Sequence, residues 1–237
     1  MKNWYKRVRT HIDFMLLDLL DAIRDLRIAG KILVKTEPSP TTDSSRTSGM
    51  TPSQPARYFI LEKVFSHIRM ESQDSFIDVG CGKGRVLAYL KSIDSPCPLT
   101  GVELSEVPGK IAHEWTKKYN GIKVILGDAF LVDYNAYTIL FLCQPFWPMT
   151  FIEFVHLIEK QLSHPIILIY VFDQSSGNYL EGRKGWVLQH RDEFYRIHGL
   201  QVAGGVRRYS IWKYNPNNDG SEENNSISVK PIPLCYK

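Results

Sequence analysis

Cysteine is scarce and scattered. The four present, Cys81, Cys97, Cys143 and Cys235, include no two close enough for a metal knuckle or a redox pair. Free thiols in a reducing compartment are therefore expected. Long apolar runs are missing as well. The longest, at 166–172, is far short of the ~20 residues that a membrane-crossing helix needs. A secretory leader requires an unbroken apolar stretch after its basic start. Here Asp13, Asp18 and Asp21 interrupt it. A soluble, cytoplasmic protein is the expectation. No internal repeat, catalytic triad or metal-ligand spacing stands out, so no metal is expected.

Charge of one sign is also lacking over most of the chain. Residues 1–35 carry eight Lys/Arg against four Asp, which accounts for the whole net charge of +4. The remainder is neutral. A protein that tracks a long polyanion is usually basic over its folded body, so the composition argues against that partner. Apolar residues make up 43% of the 237, enough to exclude wholesale disorder.

The chain divides by pattern. Residues 1–35 read as an amphipathic helix. Trp4, Val8, Ile12, Met15, Leu19, Ile23 and Leu26 recur at three- and four-residue steps, and Gly30 follows where a helix would end. The plain expectation is a helix packed on the domain. The sharper one is contact with a membrane or partner, opposed by the interspersed Asp residues. Residues 36–56 are rich in Ser, Thr and Pro and read as a linker or lid. A helix over 55–70 follows, with Tyr58, Leu61, Val64, Phe65 and Ile68 on its inner side.

Strands then alternate with helices. Strands are expected at 76–79, 99–104, 123–126, 138–143 and 166–172, and helices at 84–94, 107–119 and 149–163. The apolar runs at 138–142 and 166–170 fit parallel strands buried on both faces. The alternation predicts an α/β fold with a doubly wound, mostly parallel sheet. An antiparallel pair over 186–197 and 206–214 ends the domain at 57–214. Residues 215–237 are polar and Asn/Ser-rich and are expected to be a disordered tail.

Ligands of such sheets bind outside the carboxyl ends of the strands. The first of these ends is Asp78-Val79-Gly80-Cys81-Gly82-Lys83-Gly84. Dinucleotide binders space their glycines G-x-G-x-x-G. The third would then fall at 85, which is Arg85. The spacing here is G-x-G-x-G, with an acid before it. That acid would repel a pyrophosphate and suit the ammonium of an amino-acid moiety, which favours S-adenosylmethionine over NAD. A glycine turn without a ligand is the alternative. Two further strand ends support the first. Glu103 in Gly101-Val102-Glu103-Leu104-Ser105 lies 19 residues past Gly84, near the ~20 expected for a carboxylate on ribose hydroxyls. Asp128 in Gly127-Asp128-Ala129-Phe130 could accept from an adenine amino group, with Ala129 or Phe130 on the ring.

These segments resemble the class I S-adenosylmethionine-dependent methyltransferases over about residues 55–214. Phe76 to Arg85 looks like their first motif and Gly101 to Ser105 like their second. The D-x-G-C-G-K-G-R run, with Thr51-Pro52 ahead of the preceding helix, is similar to that of small bacterial members. The resemblance implies a seven-stranded, Rossmann-like sheet with a reversed last strand. It also implies an enzyme whose cofactor contacts fall at Asp78, Gly80, Cys81, Gly82, Gly84, Glu103, Leu104, Asp128 and Ala129.

The methyl acceptor is expected at the fourth strand end, Leu142-Cys143-Gln144-Pro145-Phe146-Trp147-Pro148. In amino-group methyltransferases this place resembles an N/D-P-P-Y/F turn, from which this chain departs at 143 and 144. Gln144, Pro145 and Phe146 are the candidates for positioning an acceptor, read as a nitrogen of a protein side chain or small molecule. Methyl transfer needs little beyond alignment and loss of a proton. Two alternatives stand beside this reading. One is a catalytically silent S-adenosylmethionine-binding scaffold, motivated by the departure at 143–144. The other is a nucleic-acid methyltransferase, motivated by the basic start or by Cys143 as a nucleophile.

Overall fold

The computed structural model describes residues 2–33, 49–51 and 55–218. Most of the segment read as linker or lid, Pro52, Cys235 and nearly all of the tail lie outside the described residues.

Seven strands form one sheet. They are β1 (Phe76–Val79), β2 (Leu99–Glu103), β3 (Ile122–Leu126), β4 (Ile139–Cys143), β5 (Ile166–Val171), β6 (Trp186–Phe194) and β9 (Arg207–Tyr214). A separate two-stranded ribbon joins β7 (Arg196–Ile197) to β8 (Leu200–Gln201). The sheet order is β3-β2-β1-β4-β5-β9-β6. The pairs among β1 to β5 are parallel, and β9 runs antiparallel to both its neighbours. This is a doubly wound α/β sheet with one reversed strand. The order reverses between β1 and β4, which opens a crevice at their carboxyl ends.

The central strands form because their residues are apolar on both faces. In β1, Phe76 joins the core on one side and Ile77 the core on the other, as the two-residue period requires. One face is covered by α1 (Lys2–Ala29), α2 (Tyr58–Phe65), α3 (Arg85–Ser92) and α4 (Glu106–Thr116). The other is covered by α5 (Pro148–Gln161) and short 3₁₀ turns. Stacked rings of Phe65, Phe141 and Tyr89 fill the first layer. Phe151 against Tyr170, and Phe146 against Phe154, fill the second.

The helix α1 packs the wrong way round for its hydrophobic pattern. Val8, Ile12, Met15, Leu19, Ile23 and Leu26 are exposed, and Leu16 with them. The inward stripe is Asp13, Leu17, Asp21, Asp25 and Ala29, one residue per turn. The inward acids meet arginines from distant segments. Asp25 accepts from Arg85 Nε at 3.1 Å and Nη2 at 2.7 Å, from Tyr58 Oη at 2.9 Å and from the Leu33 N–H at 2.8 Å. Asp21 accepts from the Tyr58 N–H at 3.3 Å and faces Arg57 at 3.3 Å and Arg85 at 3.5 Å. Asp13 accepts from the Gln201 N–H at 3.0 Å and from Arg196 at 3.3 Å. Burial pushes Asp21 above the usual carboxylate range, against the pull of Arg85. Buried charges persist only when paired and hydrogen-bonded in this way. Hydrophobic periodicity alone points to the opposite face, since the partners lie up to 188 residues away.

Candidate active site

The glycine loop leaves β1 and is fixed from three sides. The Gly80 and Cys81 N–H groups both donate to the Val102 carbonyl of β2, at 2.9 and 3.0 Å. The Gly82 N–H donates to Glu103 Oε2 at 2.8 Å. Trp115 Nε1 of α4 donates to the Lys83 carbonyl at 2.9 Å. Two glycines are required by the geometry. Gly80 has φ +78°, and a Cβ there would lie 2.7 Å from Pro145 Cβ. Gly84 caps α3 in the left-handed region, with the Trp115 ring 3.0 Å from the position of a Cβ.

The loop forms the floor of a cleft whose empty space, counted out to solvent, is about 900 Å³. Asp78, Gly80, Cys81, Gly82, Glu103, Leu104 and Ala129 line it, together with Pro145 and Phe146. Gly84 shapes the turn behind it. Asp128 caps the short turn after β3, accepting from the Phe130 N–H at 2.9 Å. Gln144 lies on a neighbouring cleft rather than on this one. Sequence reasoning missed Leu33, Met50, Pro55 and Ala56, which form the opposite wall. Their signal was weak, since they fall beside or within a stretch read only as a linker or lid.

The cleft is acidic at its base. Asp78 is 2% exposed. Its Oδ2 has no hydrogen-bond partner among the described residues. Burial, and then the neighbouring Glu103, hold its carboxyl well above the ordinary range. Burial raises Glu103 too, against the N–H groups of Ser105 and Gly82 that favour its charged form. Arg85 reaches the same wall but its guanidinium is committed to Asp21 and Asp25. An orphaned buried carboxylate oxygen beside a glycine cradle fits a ligand that brings its own cation. The aminocarboxypropyl ammonium of S-adenosylmethionine is such a group, and a pyrophosphate is not.

Cys143 lines the cleft as well. Burial and Asp78 push its thiol upward, away from the thiolate. A cysteine nucleophile needs the opposite shift. Among the described residues no group of His, Cys, Asp and Glu is placed to hold a metal ion.

Comparison with known proteins agrees with this geometry. A family model, Histone methylation protein DOT1, matches residues 56–134, the segment that holds the glycine loop and both further acidic strand ends. An RNA methyltransferase from Salinibacter ruber, solved with S-adenosyl-L-homocysteine, superposes with a TM-score of 0.51 and 17% identity, covering 71% of this chain and 97% of that one. The chain has the fold of the class I S-adenosylmethionine-dependent methyltransferases. TrmK from M. capricolum, solved with S-adenosyl-homocysteine, is also similar, with a TM-score of 0.49 and 16% identity over 70% of this chain and 72% of that one. No curated protein matches the chain in sequence. No helix among its described residues is long and apolar enough to cross a membrane.

A second cleft adjoins the first and shares Pro55, Ala56 and Arg85 with it. Gln144, Phe172, Gln174, Ala203 and Arg207 line its far side. The carbonyls of Gln144 and Pro145 accept from Thr51, from Oγ1 at 2.5 Å and from N–H at 3.1 Å respectively. Gln144 Nε2 donates to Ser175 Oγ at 3.3 Å.

Proposed function

We propose that this protein is an S-adenosylmethionine-dependent methyltransferase that methylates a nitrogen of a protein side chain or small molecule, which enters through the second cleft. One observation carries the reading. Gln144 and Phe172 both hold positive φ, 46° and 61°, at the ends of the neighbouring strands β4 and β5, and both line that cleft. Each such conformation costs roughly 1–2 kcal/mol in a residue with a Cβ, and strain of this kind gathers at functional sites.

S-adenosylmethionine supplies an electrophilic methyl on a sulfonium. The residues of the chain bind and align. Asp78 takes the ammonium, Glu103 the ribose, and Ala129 with Asp128 the adenine end. Pro145 and Phe146 wall the cofactor cleft, next in sequence to Gln144 on the second one. With Thr51 occupying the turn's two carbonyls, the Gln144 side-chain oxygen is the group suited to accept from an N–H of the substrate. Alignment of this kind can supply most of the rate of a methyl transfer.

The neutral charge of residues 36–237, with 29 − 8 = 21 Lys/Arg and 25 − 4 = 21 Asp/Glu, supports a non-polyanionic acceptor. So does the protein-methylating family whose model covers the glycine loop. A second reading, methylation of RNA, is favoured by the Salinibacter ruber neighbour and by Arg57 and Arg207 on the second cleft. Incubation of the enzyme with methyl-labelled cofactor and cell extract, followed by fractionation, separates the two. Label in protein or small-molecule fractions is expected. Label that nuclease removes would establish the second reading.

A further inference from the structure

The outward face of α1 is apolar along nearly its whole length. Val8, Ile12, Met15, Leu16, Leu19, Ile23 and Leu26 are all exposed, Met15 at 60% and Leu19 at 58%. On a helical wheel they fall within an arc of about 100°. An exposed stripe of this extent marks an interaction surface. Its occupant is decided by charge. Three of the four acids of the helix point inward and are paired with Arg85, Arg57 and Arg196. The fourth, Asp18, is bridged by Arg57 at 2.7 Å. Arg24 and Lys31 are taken up by Glu62 and Glu114. Arg7, Arg9 and Arg27 face solvent, the last two on one edge of the stripe.

We propose that this face seats the protein on an anionic lipid surface, with α1 lying in the plane of the interface. The objection that its aspartates would be repelled by such lipid does not hold, because the fold has turned three of them inward and bridged Asp18, all against arginines. What remains outside is apolar and basic, the composition of an interfacial helix. A second copy of the chain fits less well. It would bring Arg9 and Arg27 of one copy against the same two of the other, with Asp18 the only exposed acid of either helix. An anionic bilayer offers negative charge along the whole helix. The helix lies on the bilayer and does not cross it, since it is too polar for a span.

Cosedimentation of the full-length protein with vesicles tests the proposal. One set is phosphatidylcholine with about a third phosphatidylserine and the other is phosphatidylcholine alone. Each basic residue near an anionic surface strengthens partition about fivefold, so Arg9 and Arg27 at the edge of the stripe predict roughly 25-fold preference for the anionic set. Met15→Glu with Leu19→Glu should abolish binding. Arg9→Glu with Arg27→Glu should erase the preference. Both positions are exposed, so these variants should bind S-adenosylhomocysteine as the wild type does, which checks that they fold and keeps the proposal separate from the cofactor reading. Absence of sedimentation above the lipid-free control overturns the proposal. So does equal binding to both vesicle sets. So does a dimer in the ultracentrifuge that Met15→Glu with Leu19→Glu disperses, since the second copy would then be the occupant.

Discussion

Asp25→Asn should destabilise the protein more than any exposed change on α1. Asp25 is fully buried and accepts four hydrogen bonds, two of them from the guanidinium of Arg85, which is itself 2% exposed. The amide keeps the shape and loses the charge. It leaves Arg85 buried with Asp21, at 3.5 Å, as its only carboxylate, beside the Ala56 carbonyl at 3.4 Å. Removing one partner of a buried pair costs about 3–5 kcal/mol. For a domain of this size that lowers the melting midpoint by roughly 6–20 °C. Thermal and urea unfolding measure it. Arg85→Met should be comparably costly. The double variant should lose about 1–3 kcal/mol less than the sum of the singles, because the orphaned charge has gone. A single variant within about 1 kcal/mol of wild type, or a double equal to the sum, would refute the coupling.

Gly80→Ala places a Cβ 2.7 Å from Pro145 Cβ at φ +78°; affinity for S-adenosylhomocysteine should fall on the order of tenfold or more, and an unchanged Kd in calorimetry would count against the cradle. Burial, and then Glu103, shift the Asp78 carboxyl well above its ordinary range, and the cofactor's ammonium favours its charged form, so binding should lower that shift, release protons and strengthen as pH rises. Titrations in buffers of different ionisation enthalpy detect that release, and identical apparent enthalpies would contradict it. His67 and His190 stack at 3.9 Å beside Lys63, Asp192 and Tyr209, and burial lowers both below the ordinary 6.5. The unfolded chain therefore takes up protons first. This contribution to stability is complete above pH 6.5 and is lost as pH falls through the folded values; His67→Gln with His190→Gln should flatten that part of the pH–stability curve, and an unaltered slope would exclude the pair as its source.

The sheet was legible because its strands are apolar on both faces and its turns carry glycine. The five parallel strands stand within a residue or two of the expected places, and the terminal antiparallel pair within about three. The glycine spacing and Asp78 led to the cofactor for reasons the cleft repeats in three dimensions. Two features were not legible. Periodicity assigns α1 an apolar inner face, but its inner face is acidic, because Arg57, Arg85 and Arg196 arrive from other elements. The second cleft joins Asp18, Ala56, Gln144, Phe172 and Arg207, five positions that no local pattern connects. The left-handed backbone at Phe172 has no composition signal, since aromatic residues rarely adopt it.

The central claim is that the loop at 78–84 selects S-adenosylmethionine. Calorimetric titration of the protein with S-adenosylhomocysteine, and separately with NAD, tests it most directly. Saturable binding of the first, weakened in Asp78→Asn, and none of the second is the predicted result. Binding of NAD with none of S-adenosylhomocysteine would contradict the account.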